Sequence, residues 1–218
     1  MGPSVTTNNT RGNLLSAAEQ LFAERGVDGV SLREIARSAG AKNVIAVQYH
    51  FADRDGVLQG ILDKHLPAVD ARRHALLDAA ESEPSLRTMA GALVRPLGAK
   101  LADADGGPAF LQVYADLLNR SKVGPNALEG EAGRFGSLRR WREIVEPMLD
   151  PDAAKLHPRL AALLYTAVEL ARRAQSGPHT DDRLFISHLI DMVAAILGAT
   201  LSGETRQLIA EREIRRGR

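Results

Sequence analysis

The sequence predicts an all-α protein, with a three-helix helix-turn-helix head followed by a helical-bundle body. Three observations carry this. Alanine (33) and leucine (29) fill 62 of the 218 positions, whereas only 9 residues are aromatic; the first two are strong helix formers and strands favour the third. Apolar residues recur at spacings of three and four along the chain, and Gly and Pro stand in the gaps at Gly106-Gly107-Pro108, Gly124-Pro125 and Gly177-Pro178. The 44% apolar content suffices for a real core, and there is no cysteine to build a disulfide scaffold or a thiolate site.

Leu14, Leu15, Ala18, Leu21 and Phe22 form the apolar face of a first helix, expected to start at a Thr10 cap and to end at Gly26. Residues 1–9 before it read as a flexible arm. Ser31 followed by Glu34 is a capping box opening a second helix, which buries Leu32, Ile35, Ala36 and Ala39 and closes at Gly40. A third helix starts near Asn43, with Val44, Val47 and Phe51 inward and Gln48, Tyr49 and His50 outward. Alone, each is too short to be stable, so the trio must pack through Leu21, Phe22, Ile35, Val47 and Phe51. A longer helix begins at Asp53 and runs past Pro67 to Leu77. Further helices are expected at about 85–101, 108–118, 133–149, 158–174, 182–201 and 204–214, so that the head spans 10–56 and the body 57–218.

Charge in bulk is nearly balanced, 28 basic against 27 acidic residues, and does not announce a nucleic-acid binder. Within the head, the acids Glu19, Glu24 and Asp28 group together, away from Arg33, Lys42 and Arg54, which leaves one face positive. The second helix, the Gly40 turn and the third helix have helix-turn-helix proportions, an arrangement also common in proteins that never touch DNA.

The run Gly29-Val-Ser-Leu-Arg-Glu-Ile-Ala-Arg-Ser-Ala-Gly40, then Val47-Gln-Tyr-His-Phe51, then Arg54-Asp-Gly-Val-Leu58, resembles the signature of the TetR family of bacterial transcriptional regulators. Ala17 to Gly26 is similar to that family's first helix, and the likeness covers about residues 10–62. Two departures stand out. The family's usual Tyr two places before the His is Gln48 here, with Tyr49 one residue later, and one additional residue lies between Gly40 and Val47. The resemblance implies a DNA-binding repressor or activator that needs no cofactor, and DNA contacts from Arg33, Lys42, Asn43, Gln48, Tyr49, His50 and Arg54. These residue types suit the task, since Arg pairs with guanine, Asn and Gln with adenine, and Tyr with phosphate.

A second copy of the chain is the expected partner. The helix at 182–201 bears two apolar stripes, Phe185, Leu189, Met192 and Ile196 on one line and Ile186, Ile190, Val193 and Leu197 on the next, where a monomer needs only one. With Leu160, Leu164 and Val168 of the preceding helix they would form a four-helix homodimer interface, presenting two recognition helices about 34 to 36 Å apart to a near-palindromic duplex operator. The resemblance also implies a small-molecule effector held in the body, where Met89, Arg95, Gln112, Tyr114, Asn119, Trp141, Tyr165 and Glu169 mix polar and aromatic groups; none of them is assigned as a ligand contact.

Other classes find less support. The six histidines include no His-x-x-x-His pair, no Glu-x-x-His motif repeats, and neither a phosphate-binding loop nor a nucleophile elbow is present, so an all-helical enzyme has no constellation to rest on. A helical adaptor that binds protein alone remains the other alternative. No apolar run is long enough to span a membrane and no secretory signal opens the chain, so a cytoplasmic location is expected. The arginines Arg212, Arg215, Arg216 and Arg218 read as a solvated end.

Overall fold

A computed structural model describes residues 4–41, 43–120 and 136–216. Its regular elements, among the described residues, are all helical. The head comprises α1 (Ser4–Arg25), α2 (Leu32–Ser38) and α3 (Ile45–Phe51). Then come α4 (Arg54–Ala79), α5 (Leu86–Gly98), α6 (Gly107–Arg120), α7 (Gly136–Val145), the single turn α8 (Pro151–Ala154), α9 (Pro158–Gln175), α10 (Arg183–Leu197) and α11 (Gly203–Arg216).

Helix α1 begins at Ser4, six residues before the expected Thr10 cap, so residues 4–9 are helical and not an arm. Nothing between Ser4 and Arg11 breaks a helix: Thr and Asn are only mildly unfavourable there, and the stretch holds neither Gly nor Pro. At the other end the reading holds, because Gly26 takes the left-handed φ of 73° that closes α1. Helix α10 ends at Leu197, four residues earlier than the apolar count implies, because Gly198 caps it. The boundary drawn at 56/57 falls inside α4, which runs unbroken from the head into the body with Pro67 exposed on its side.

Leu14, Leu15, Ala18, Phe22, Ile35, Val47, Phe51, Val57 and Ile61 form the buried centre of the head, while Leu21 sits at its edge. In the body α6 packs on α9, α10 on α5 and α4 on α5, with α7 closing the α4–α5 side. Met89, Trp141 and Tyr114 are core residues, and the Trp141 indole N–H donates to the Met89 carbonyl at 2.8 Å. Gln112, Tyr165 and Glu169 are half-buried, and Arg95 and Asn119 are exposed. Helix α11 lays Ile209 inward, and its Arg206 binds Asp150 and Asp152.

On the outer side of α9 and α10, Leu160, Leu164, Val168, Phe185 and Ile196 are half-buried and Met192 is exposed. Leu189 departs from the expected face: at 3% exposure it belongs to this chain's own core. On a helix crowded with apolar residues, spacing alone does not separate the inner stripe from the outer one. Among the described residues no helix is long and apolar enough to cross a membrane.

Candidate nucleic-acid interface

Ser31 fixes the start of α2. Its hydroxyl accepts from the Glu34 backbone N–H at 3.3 Å, and the Glu34 carboxylate accepts from the Ser31 backbone N–H at 2.8 Å. This reciprocal pair satisfies two helix-terminal donors. Glu34 also takes a hydrogen bond from Arg25 of α1 at 2.8 Å, which sets α2 against α1. Those donors, the Ser31 pair first, hold its carboxyl down at about 2. Gly40 turns the chain with a φ of 69°, and Asn43 then accepts from the Ile45 N–H at 3.0 Å at the entry to α3.

Two contacts lock the far end of α3. Ala52 leaves the helix at a φ of 61°, and the Asp53 carboxylate accepts from the Gly56 N–H at 2.8 Å to cap α4. The α3 and α4 backbones approach so closely that a Cβ on Gly56 would lie 1.8 Å from the Phe51 carbonyl oxygen. Phe51 is buried beneath that junction.

This framework turns one side of α3 outward. Val47 is fully buried, whereas Tyr49 is 78% and Ile45 64% exposed. Gln48 and Asn43 are exposed as well, and so is Arg33 in the first turn of α2. His50 is half-buried with its ring edge-on to Tyr49 at 5.1 Å. Arg54, at the start of α4, is half-buried; its guanidinium leans on exposed Asp28 at 3.7 Å, and its Nε is buried without a hydrogen-bond partner. Lys42 lies outside the described residues. Six of the seven expected contact residues are thus placed on α2, the turn before α3, α3 itself and the first residue of α4.

Two residues escaped the sequence reading. The Arg11 guanidinium lies over the Phe51 ring at 5.1 Å, a cation–π contact that brings an exposed cation of α1 to the end of α3; the long stretch of chain between them hides it. Ile45 was legible, because it falls off the Val44, Val47 and Phe51 line and so must face away from the core. An exposed apolar group on such a helix matches the methyl group of thymine. One charge reading is overturned: Glu19 does not join a surface group of acids but is buried, bound to His65 Nε2 at 2.9 Å and to Lys64 Nζ at 3.0 Å. Its partners lie on α4, which the sequence does not bring alongside.

Among the described residues no group of three or more His, Asp or Glu side chains is arranged to hold a metal ion. His74 sits 3.7 Å from Asp70, and Asp191 pairs with Arg87.

Residues 14–61 match the sequence profile described as bacterial regulatory proteins, tetR family. No curated protein matches the chain at a significant level. Among solved structures, the chain is similar to NalD of Pseudomonas aeruginosa, the secondary repressor of the MexAB-OprM multidrug efflux pump, with 20% identity and a TM-score of 0.54 over 90% of this chain and 99% of that one. A mutant of HlyIIR gives 16% identity and a TM-score of 0.54 over 92% and 100%. A transcriptional regulator of Rhodococcus sp. Rha1 gives 22% and 0.50 over 86% and 95%. At such identities the structures speak for the fold alone. The matched profile spans the whole capped α2–turn–α3 assembly described above, so the head is similar to that of bacterial regulatory proteins of the tetR family, and the solved structures extend the likeness of fold to the body.

Proposed function

We propose that this protein is a homodimeric, cytoplasmic repressor that binds a near-palindromic operator through α3 and is released by a small-molecule effector. The observation that carries the DNA contacts is the outward face of α3, where Tyr49 is left 78% exposed next to exposed Gln48 while Val47 on the opposite face is fully buried, with exposed Asn43 in the preceding turn and exposed Arg33 on α2. Leaving so much aromatic surface in water is unfavourable unless something covers it. Tyr49 then reaches phosphate or a base edge, Arg33 a guanine or phosphate, Gln48 and Asn43 base edges. His50 supports Tyr49, and Arg54 exchanges its loose contact with Asp28 for a phosphate; Lys42 completes the set.

The second copy is expected on the outer side of α9 and α10, over Leu160, Leu164, Val168, Phe185, Met192 and Ile196. The effector belongs in the body, and its preference for a splayed dimer weakens DNA binding through a coupling of about 1 to 3 kcal/mol.

Selection of duplexes from a random pool, followed by retention assays across a salt series, tests this reading. The protein is expected to enrich a two-fold-symmetric sequence and to lose affinity steeply with salt, in proportion to the phosphates contacted. Arg33→Ala and Tyr49→Ala should each abolish retention with helicity unchanged. Full retention by both variants would remove these residues from the interface.

A further inference from the structure

Arg73 lies at the meeting of α4, α6 and α7 with only 5% of its surface exposed. A guanidinium has five N–H donors and carries its charge at every accessible pH. Here the Nη1 donates to the Ser137 hydroxyl at 3.0 Å, while the Nε is buried with no partner. Asp70, one turn earlier on α4, acts on the charge through space but spends an oxygen on the Ser137 backbone N–H at 2.9 Å. Among the described residues Arg73 has no ion-pair partner, and burial pulls its pKa downward. A buried cation whose Nε donor is unmet and whose charge no salt bridge balances is unfavourable unless an anion completes it.

We propose that the missing anion is the carboxylate of the effector, received in two-pronged fashion by Arg73 beside the Ser137 hydroxyl. This rests on the ligand-responsive reading above and names the ligand's chemical class. A planar carboxylate matches the geometry of the guanidinium fork, and burial strengthens the pair. The apolar part of the acid lies against the neighbouring core, where Trp141 follows Ser137 by one turn of α7.

The position also offers a route to the head. On α6, Tyr114 stacks on Phe110 at 5.6 Å. Phe110 stacks on His65 at 4.5 Å, and His65 binds Glu19 of α1. An acid that shifts α6 therefore presses on side chains that end at the head's first helix.

The test is thermal unfolding of the full chain with millimolar acetate, butyrate, octanoate and benzoate, each beside its neutral amide, for wild type and Arg73→Met. At least one acid is expected to raise the wild-type midpoint by several degrees more than its amide, and none to do so in Arg73→Met. The variant itself should melt at or above wild type, because it removes a buried charge that nothing balances. No acid-specific shift in wild type, or the same shift in Arg73→Met, overturns the proposal. If Arg73→Met does not fold, Arg73→Lys replaces it: the ammonium lacks the planar fork, so about tenfold more acid should be needed, and an undiminished response is fatal to the idea. The duplex selection stands apart from this result. An acid-specific shift without a selected duplex leaves the anion site and removes the regulator reading; a selected duplex without the shift does the reverse.

Discussion

Glu34 ties the first turn of α2 to Ser31 and to Arg25 at once, and all of those bonds need its charged form. With the folded carboxyl at about 2 against an ordinary 4.5, the group stabilises the head fully above pH 4.5 and loses that contribution as pH falls toward 2. Melting of wild type and Glu34→Gln from pH 7 down to pH 3 should therefore show the two curves converging as acid is added. A gap that stays constant over that range would mean that the capping box contributes through its shape and not its charge. This residue was fully legible, because a capping box is written in four consecutive positions. The Arg11–Phe51 contact was not, since only the packed head brings its two residues together.

Glycines at the element scale separate what turns demand from what helices tolerate. Gly56 sits where α4 starts against the end of α3, and both surfaces there are backbone, which cannot rotate aside. Gly56→Ala is expected to force the two helices apart at a cost of about 1–3 kcal/mol or more, and to weaken DNA retention with it. Gly12, inside α1, has open space where a Cβ would go, so Gly12→Ala should instead stabilise by about 0.5–1 kcal/mol by restricting the unfolded chain. Denaturant midpoints of both variants check the opposite signs; a stabilised Gly56→Ala would show that α3 is not held by that contact. The same contrast explains where helix ends were readable. Gly26 and Gly40 were recognised because each follows an apolar stripe that stops, whereas Gly198 was overrun because Ala199 and Leu201 prolong the apolar count beyond the true end. The early start of α1 carried no signal, as its added turns hold a single apolar residue, Val5, and so no stripe.

At the scale of the whole molecule, the all-helical class was legible, while the way α1 meets α4 was not. Glu19, Lys64, His65 and Asp105 meet from α1, α4 and the turn before α6, with the Glu19–His65 pair 1% exposed on both sides. Together with the continuity of α4, this makes head and body one mechanical piece, so that anything moving the body moves α3. In the proposed dimer two such pieces must be held at a fixed separation to read a palindrome, and the outer side of α9 and α10 is the surface proposed to hold them. Met192, 39% exposed, and Leu184, 83% exposed, occupy that side, whereas Leu189 is already spent on the protomer's own core. Met192→Asp should therefore abolish self-association without loss of helicity, because a carboxylate buried between two apolar faces lacks a partner. Leu189→Ala should instead lower stability by about 2–5 kcal/mol through the cavity it leaves. Light scattering separates the two, and a Met192→Asp protein that still dimerises would place the interface elsewhere. Retention on the selected duplex should fall far more in Met192→Asp than any single phosphate contact explains. Losing the second head removes the high effective concentration that makes its binding nearly free, and that loss is the measurable signature of two coupled heads.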